Sequence, residues 1–278
     1  MRPAAAAPAP AASSAGERPK FACAPPDRGF GSHAPFVTRG RLKISVPASR
    51  PSSHRYDLVL HFHFSDAARR TIVHAAPDVV IAGFDLGEGS KVYGDALSDP
   101  RAFVKLLADV EDELRAATSD PDAKVGRIAL SSWSAGFAAT TKILKHHRDK
   151  IDAVFFLDSL YAPYEKDENG ELRTGHVFAP ALSGVVAFAQ QAVRGERVLF
   201  LTTSDAPTTG YASTREVARF LLARLTISFP PPQATPASVG QGGVQVRMYG
   251  GNSAEAHCFH LGLAGEAVAI WRAGVAGR

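Results

Sequence analysis

The clearest chemical signal in the sequence is a serine among small residues, in the run Ser132-Trp133-Ser134-Ala135-Gly136 between a predicted strand and a predicted helix. A nucleophilic serine on such a tight turn needs small residues two positions to either side, because larger side chains would clash where the backbone reverses. Ser132 and Gly136 meet that need. The turn would lift the Ser134 hydroxyl above the sheet, toward the free N–H groups that begin the helix. The pattern predicts a serine nucleophile; the alternative is a plain turn in which Ser134 only caps the helix.

This turn resembles the nucleophile elbow of the α/β-hydrolase superfamily, whose pattern is Gly-x-Ser-x-Gly, with Ser132 in place of the first glycine. The resemblance covers residues 41–278 and is strongest with poorly characterised bacterial serine hydrolases. It implies a mostly parallel α/β sheet flanked by helices, in a single domain without a large cap. It also implies hydrolysis of a carboxylic ester, or as second choice an amide, through an acyl-enzyme on Ser134 and without a cofactor.

A serine hydroxyl is a poor nucleophile at neutral pH, so a histidine must remove its proton and a carboxylate must orient that histidine. The superfamily's chain order is nucleophile, acid, histidine. By that order His257, after the last predicted strand, is the first choice for the base, and His260 on the same helix face is its competitor. Asp158 is the preferred acid, since it follows a strand of apolar residues only. Asp205 is the alternative, although a turn-forming aspartate explains it equally well.

The resemblance also implies an oxyanion hole made of two backbone N–H groups. One would belong to Ala135, directly after the nucleophile. The second would come from the loop after the strand of residues 56–64, where Phe64 stands in place of the usual glycine. The Phe64 N–H is the predicted donor, with Ser65 as the alternative. His63 and Trp133 adjoin these donors and are predicted to contact the substrate.

His61 and His63 form a His-x-His pair, and on a strand both imidazoles would face the same side, as in several zinc hydrolases. Asp66 follows this pair. The run differs from the metallo-β-lactamase pattern His-x-His-x-Asp-His, because its aspartate comes one residue later and the last histidine is absent. Two ligands do not close a metal site, although His257 or His260 could supply a third. We expect no metal, with one histidine packed and one bonded to the oxyanion loop. A metal-dependent hydrolase and a catalytically silent binding protein of the same fold are the alternatives.

Composition narrows the classes of partner. Lys and Arg number 31 against 27 Asp and Glu, and this formal charge of +4 is slight for 278 residues, so we expect no nucleic acid partner. No apolar run reaches the roughly 18 to 20 residues of a membrane span. With only two cysteines, Cys23 and Cys258, the chain cannot be a disulfide scaffold. The sequence does not show whether they pair, so it leaves open whether the protein is cytoplasmic or exported. The expected partner is a small-molecule acyl substrate, and the oligomeric state stays open.

Residues 1–40, rich in Ala, Pro, Gly and Ser, predict a disordered or irregular N-terminal arm, and residues 41–278 predict the catalytic domain. In the domain, strands alternate with helices, which predicts right-handed crossovers and a mostly parallel sheet. The glycine-rich stretch 85–94 predicts a loop near the substrate, and residues 159–184 predict a lid-like flap. The predicted strands span residues 42–46, 56–64, 79–84, 127–131, 153–157, 197–202 and 244–249, and the predicted helices span residues 102–117, 135–147, 185–194, 213–225 and 257–273.

Overall fold

The computed structural model describes residues 23–231 and 236–275 of the chain. Its strands are β1 (Val37–Arg39), β2 (Leu42–Ser45), β3 (Arg55–Phe62), β4 (Val80–Phe84), β5 (Lys124–Trp133), β6 (Ala153–Leu157), β7 (Ala162–Lys166), β8 (Leu172–Val177), β9 (Val198–Thr203), β10 (Tyr211–Ala212), β11 (Ala237–Gln241) and β12 (Val244–Met248). Its α-helices are α1 (Ser65–Ala75), α2 (Ser90–Ala96), α3 (Pro100–Thr118), α4 (Phe137–His147), α5 (Ser183–Val193), α6 (Thr214–Arg224), α7 (Ala254–Phe259) and α8 (Ala264–Val275). Within these ranges no helix combines the length and apolar character that a membrane crossing requires.

A nine-stranded sheet forms the centre of the molecule, in the order β1-β2-β4-β3-β5-β6-β9-β12-β11. The six neighbours from β4 to β12 run parallel to one another. β2 pairs antiparallel with β4, and β1 and β11 are antiparallel strands at the two edges. The predicted α/β class with a mostly parallel sheet is confirmed.

Helices cover both faces of this sheet, which explains why the strands β4 and β6 are apolar throughout. In β6, Val154 and Phe156 pack on one face, and Phe155 and Leu157 pack on the other, because successive side chains alternate. Helices α3 to α6 contribute to the first layer, while α1 and α8 contribute to the second. All the parallel strands end at the same edge, so the loops after β3, β5 and β6 meet there.

Four local departures from the predicted elements occur along the chain. Strand β3 ends at Phe62 instead of residue 64, because His63 and Phe64 take left-handed backbone angles, φ 75° and 61°. The polar helix α1 follows at once, where no helix was predicted. The predicted loop 85–94 turns into α2 at Ser90. The predicted final helix is broken into α7, a 3₁₀ turn and α8.

The predicted flap, residues 159–184, contains two strands of a second sheet, whose order is β10-β7-β8. Tyr164 in β7 ties this sheet to α6, since its hydroxyl donates to the Glu216 carboxylate at 2.9 Å. Glu216 also completes a capping box with Ser213 at the start of α6. The flap is therefore a small three-stranded sheet attached to the body.

The predicted N-terminal arm only partly falls within the described residues, since residues 1–22 lie outside them. Residues 23–36 follow an irregular path over the body, and β1 places residues 37–39 in the main sheet, before the predicted boundary at residue 40. Cys23 forms a disulfide with Cys258, a pairing that the sequence left open. The segment is thus linked covalently to α7.

Candidate active site

Ser134 directly follows β5, where the backbone turns sharply toward α4 with a φ of 49°. A residue with a side chain adopts this left-handed conformation only where its surroundings enforce it. Gly136 shows how tight the turn is, because a Cβ there would collide with the backbone carbonyl of Phe62 in β3. The predicted elbow is present, and Ser134 lines an open cleft.

Ser132, in the place of the elbow's usual first glycine, is fully buried at the end of β5. Its hydroxyl lies 2.9 Å from the Ser159 hydroxyl, which also lies 3.1 Å from the Ser134 carbonyl oxygen. Ser159 comes from the loop after β6. The serine at position 132 therefore adds a polar link between the two strand ends that carry Ser134 and Asp158.

Asp158 follows β6 and is fully buried, yet both of its carboxylate oxygens have hydrogen-bond donors. Oδ2 accepts from His257 Nδ1 at 2.7 Å and from the Ser204 hydroxyl at 2.6 Å. Oδ1 accepts from the Ser204 N–H at 2.8 Å and from the Thr214 hydroxyl at 2.5 Å. Burial by itself would raise the pKa of Asp158, but these donors, His257 foremost, lower it to about 2. Asp158 is a carboxylate at neutral pH.

His257 lies on α7 and is held from two sides. Nδ1 bonds to Asp158, so Nε2 is the ring nitrogen left to accept a proton. On the other side Trp133 donates its indole N–H to the His257 carbonyl at 3.0 Å, and its ring stacks on the imidazole with centroids 4.5 Å apart. Because Trp133 directly precedes Ser134, this contact connects α7 to the turn that carries Ser134.

The two alternate residues have other partners. His260 is fully buried, and its Nδ1 bonds to the Thr202 hydroxyl at 2.7 Å. Burial lowers the pKa of His260 to about 4, so its ring is neutral at pH 7. Asp205 is 43% exposed and pairs with Arg215 at 3.0 Å. The fold thus bonds Asp158 to His257, which contacts the residue before Ser134, whereas His260 bonds to Thr202 and Asp205 pairs with Arg215.

The loop after β3 presents one free N–H group to the elbow region. The Phe64 N–H bonds to no acceptor among the described residues, whereas the Ser65 N–H donates to Asp85 Oδ1 at 3.0 Å. The Ala135 N–H lies in the first turn after β5, where helical N–H groups lack intrahelical partners. Of the two predicted loop donors, only Phe64 is available to an oxyanion.

Solved structures with the same architecture support the assignment of the fold. An enterochelin esterase from Shigella flexneri aligns at 12% identity with a TM-score of 0.51, over 90% of this chain and 60% of that one. The enterobactin esterase from the same organism, solved with 2,3-dihydroxy-N-benzoyl-glycine, aligns at 12% identity with a TM-score of 0.50, over 90% and 61%. The chain has the α/β-hydrolase fold.

Further matches define the extent of this likeness. An S-formylglutathione hydrolase from Agrobacterium tumefaciens aligns at 13% identity with a TM-score of 0.48, over 90% of this chain and 98% of that one. The chain spans about 60% of the length of the Shigella esterases. Neither a protein-family model nor a curated protein matches the sequence.

Within this α/β-hydrolase fold, His61 supports the loop of Phe64. Its Nε2 donates to the His63 carbonyl at 2.9 Å, so its Nδ1 accepts from the Ser131 hydroxyl at 2.8 Å. Burial lowers the pKa of His61 to about 4. Both ring nitrogens are engaged, which leaves no lone pair for a metal. In the described ranges no three His, Cys, Asp or Glu side chains cluster as metal ligands.

His63 stacks on the face of Trp133 opposite His257, with ring centroids 5.3 Å apart. Its Nδ1 lies 2.9 Å from the Tyr93 hydroxyl, which also receives the Leu86 N–H. Burial lowers the pKa of His63 and raises that of Tyr93 to about 12, so both are neutral at pH 7. His63 and Trp133 are almost fully buried, and they support His257 and the Phe64 loop instead of lining the cleft of Ser134.

The cleft beside Ser134 has a volume of about 510 Å³. Aromatic rings form much of its wall: Tyr161 lies edge-on to Phe137 at 5.4 Å and to Tyr211 at 5.5 Å between centroids. Among the described residues that line it, none is charged. Phe64, which is 46% exposed, lines a second depression of about 410 Å³ together with Lys43, Asp85 and Glu88.

Three residues that the sequence did not single out complete the surroundings of the site. Ser204 and Thr214 satisfy the Asp158 carboxylate from the loop after β9 and from the start of α6. Tyr93 bonds to His63 from α2. No local pattern marks these residues, because a hydroxyl that bonds to a partner 30 or more positions away leaves no periodic trace in the sequence. The capping position of Ser213 next to Thr214 was the nearest available signal.

Proposed function

We propose that the chain is a serine hydrolase that cleaves carboxylic esters through an acyl-enzyme on Ser134. The observation that carries the proposal is the buried, four-times hydrogen-bonded Asp158 carboxylate bound to His257 Nδ1, beside a serine on a left-handed elbow. A carboxylate that orients an imidazole next to a serine is the arrangement that activates a hydroxyl at neutral pH. The esterases named above, which share the fold, support the ester as the substrate class.

In the proposed mechanism His257 Nε2 removes the Ser134 proton while the hydroxyl oxygen attacks the ester carbonyl carbon. The Ala135 and Phe64 N–H groups donate to the resulting oxyanion, and Asp158 stabilises the imidazolium. The tetrahedral intermediate collapses, and the alcohol departs with the proton from His257. Water then attacks the acyl-enzyme by the same route and releases the carboxylic acid.

Each oxyanion donor is expected to stabilise the transition state by roughly 3 kcal/mol. The backbone already holds both N–H groups in place, so little reorganisation accompanies the reaction. The left-handed angle of Phe64 and the bond from His61 to the His63 carbonyl keep the second donor in position. In this proposal the loop of Phe64 takes the role predicted for it without the usual glycine.

The uncharged, ring-lined cleft favours a neutral, apolar or aromatic group on one side of the scissile bond. The second depression carries both charge signs and favours a more polar group on the other side. Neutral chromogenic esters such as p-nitrophenyl acetate are therefore suitable first substrates.

The test is labelling with a fluorophosphonate probe followed by mass spectrometry of the modified peptide. We expect the label on Ser134, and we expect Ser134→Ala to abolish labelling and to lower ester turnover by about 10⁴-fold or more. The control Ser90→Ala removes another hydroxyl from the same cleft, and we expect it to leave the labelling of Ser134 and the ester turnover unchanged.

Other outcomes would replace the proposal. Turnover that survives Ser134→Ala but is lost on treatment with a chelator would establish a metal-dependent hydrolase. A folded protein that neither reacts with the probe nor turns over any acyl substrate would be a binding protein of this fold.

A further inference from the structure

The helix that carries His257 has little packing of its own. α7 is six residues long, none of its described residues is buried, and Phe259 at its end is 52% exposed. Backbone hydrogen bonds alone do not hold so short a helix. The position of His257 must therefore depend on contacts with the rest of the molecule. His260 and Leu261, directly after α7, are buried, and three further ties act on His257 and Cys258 themselves.

Two of these ties are non-covalent, and both reach His257 from the sheet. One is the bond from Nδ1 to Asp158, and the other is the Trp133 indole N–H on the His257 carbonyl. The third is covalent and adjoins His257 in the chain: Cys258 forms a disulfide with Cys23, with Cα atoms 5.0 Å apart.

A tether positions one end only if the other end is held. Arg69 in α1, which is 1% exposed, bonds to Asp27 at 2.7 Å and to the Gly29 carbonyl at 2.6 Å. The same guanidinium lies over the Phe30 ring at 4.2 Å, and Arg70 donates to the Pro25 carbonyl at 3.0 Å. The segment that follows Cys23 is therefore attached to α1, so the disulfide connects α7 to the body of the fold.

We propose that Cys23 and Cys258 are positioning residues for the reaction, and that the disulfide holds the His257 imidazole in line with Ser134. The inference rests on the proposed function of Ser134 and His257. A dithiol reductant that becomes a disulfide itself would convert the bond into two thiols and release α7 from α1. Cys258 lines an open groove of about 340 Å³, which gives such a reductant access.

A purely structural role for the cross-link predicts something different. A disulfide between residues 235 positions apart restricts the unfolded chain and so raises the melting temperature. That effect changes how much protein is folded, and it leaves kcat of the folded protein unchanged. Rate measurements well below the melting temperature of each variant separate the two roles.

The experiment compares the wild-type chain with Cys23→Ser and with a control, Asp109→Asn, in p-nitrophenyl acetate hydrolysis, with and without dithiothreitol. Cys23→Ser removes the cross-link but leaves the residue next to His257 unaltered. We expect its kcat to fall by about 10- to 100-fold, with KM changed less than about threefold, because misplacing a catalytic group by about 1 Å has effects of this size. Asp109→Asn removes an ion pair with Lys105 within α3 but keeps both the cross-link and its attachment to α1, so it should retain the wild-type kcat.

Reduction and reoxidation of the disulfide in the wild-type chain test the same inference without a mutation. Dithiothreitol should lower the wild-type kcat to that of Cys23→Ser, and reoxidation should restore it, while Cys23→Ser should not respond to the reductant. Wild-type kcat in folded Cys23→Ser, or in the fully reduced wild-type chain, would overturn the inference.

A spectroscopic readout tests the positioning without turnover. The proton on His257 Nδ1, bonded to Asp158, should give a downfield NMR resonance in the oxidised chain that broadens or disappears in Cys23→Ser. An unchanged resonance would count against the inference. Failure of the proposed function has a different signature, since the wild-type chain would then leave Ser134 unlabelled by the fluorophosphonate whatever the state of the disulfide.

Discussion

Ser134 and Asp158 directly follow adjacent central strands, whereas His257 lies on a short helix outside the sheet. β5 and β6 are bonded along their whole shared length and packed on both faces, so the sheet itself determines where Ser134 and Asp158 stand. α7 has no buried residue among those described, and the place of His257 depends on Asp158, Trp133 and the disulfide of Cys258.

This difference shows that residues of one site can be positioned in two ways: by a packed sheet, on the strand side that carries Ser134 and Asp158, or by a few contacts, on the helix side that carries His257. On the strand side, a substitution that disturbs the geometry also disturbs the core, so folding and activity should fall together. On the helix side, the geometry comes from a few side-chain contacts, and their loss should reduce activity more than stability. Each prediction below tests one side or the connection between them.

The largest effect is expected from Asp158→Asn. The amide would present N–H groups where the carboxylate now accepts four hydrogen bonds, and it would no longer stabilise the imidazolium. We expect kcat to fall by about 10⁴-fold, as for other enzymes in which the histidine loses its carboxylate. Asp205→Asn is the control, since Asp205 pairs with Arg215 at the surface and should be dispensable. Equal losses in both variants, measured by ester hydrolysis, would contradict the assignment of the acid.

The next effect concerns His260, which connects the two sides through the Thr202 hydroxyl, itself bonded to the Asp158 N–H. Burial lowers the pKa of His260 to about 4 in the folded protein, while an unfolded chain binds that proton near pH 6.5. The contribution of neutral His260 to the free energy of unfolding is therefore complete above pH 6.5. It is lost as the pH falls from 6.5 to 4, by up to about 3 kcal/mol.

His260→Asn should remove that share of the pH dependence. The variant retains a polar group where Nδ1 meets Thr202, and the slope of unfolding free energy against pH, measured with urea, is the quantity to compare. His61, whose pKa is also about 4, would still contribute its own slope. His146→Asn, on an exposed residue of α4, is the control. An unaltered slope in His260→Asn would show that His260 is not held neutral.

The smallest effect is expected from Gly136→Ala, on the strand side. The added Cβ would collide with the Phe62 carbonyl, a backbone atom of the packed strand β3. We expect a loss of about 1 to 3 kcal/mol of stability, accompanied by lower activity because Ser134 would shift. Gly262→Ala, where a Cβ has no neighbour within 4 Å, should change stability by less than about 0.5 kcal/mol. Thermal unfolding and ester turnover of the two variants, side by side, check both statements; a stable but inactive Gly136→Ala would contradict the coupling.

Most of the fold was predictable because its signals are local. The apolar run of β6, the helical spacing of α3 and the Ser213–Glu216 capping box each follow from residues close together in the chain, and all three are present. α1 was missed because it is polar and follows a strand end formed by left-handed His63 and Phe64. The small sheet β10-β7-β8 was missed because β7 and β10 lie far apart in the sequence.

The candidate site divides in the same way. The sequence alone determined the small residues that permit a tight turn at Ser134, and its resemblance to a known fold implied the order of acid and histidine and the short set of residues that could fill each role. Tertiary structure decided that Asp158 and not Asp205 meets His257, that His260 is buried against Thr202, that the Ser65 N–H is already engaged, and that Cys23 reaches Cys258. The physical reason is that hydrogen bonds, desolvation and covalent cross-links act between groups close in space, and only the packed sheet brings groups so far apart in the chain to within bonding distance.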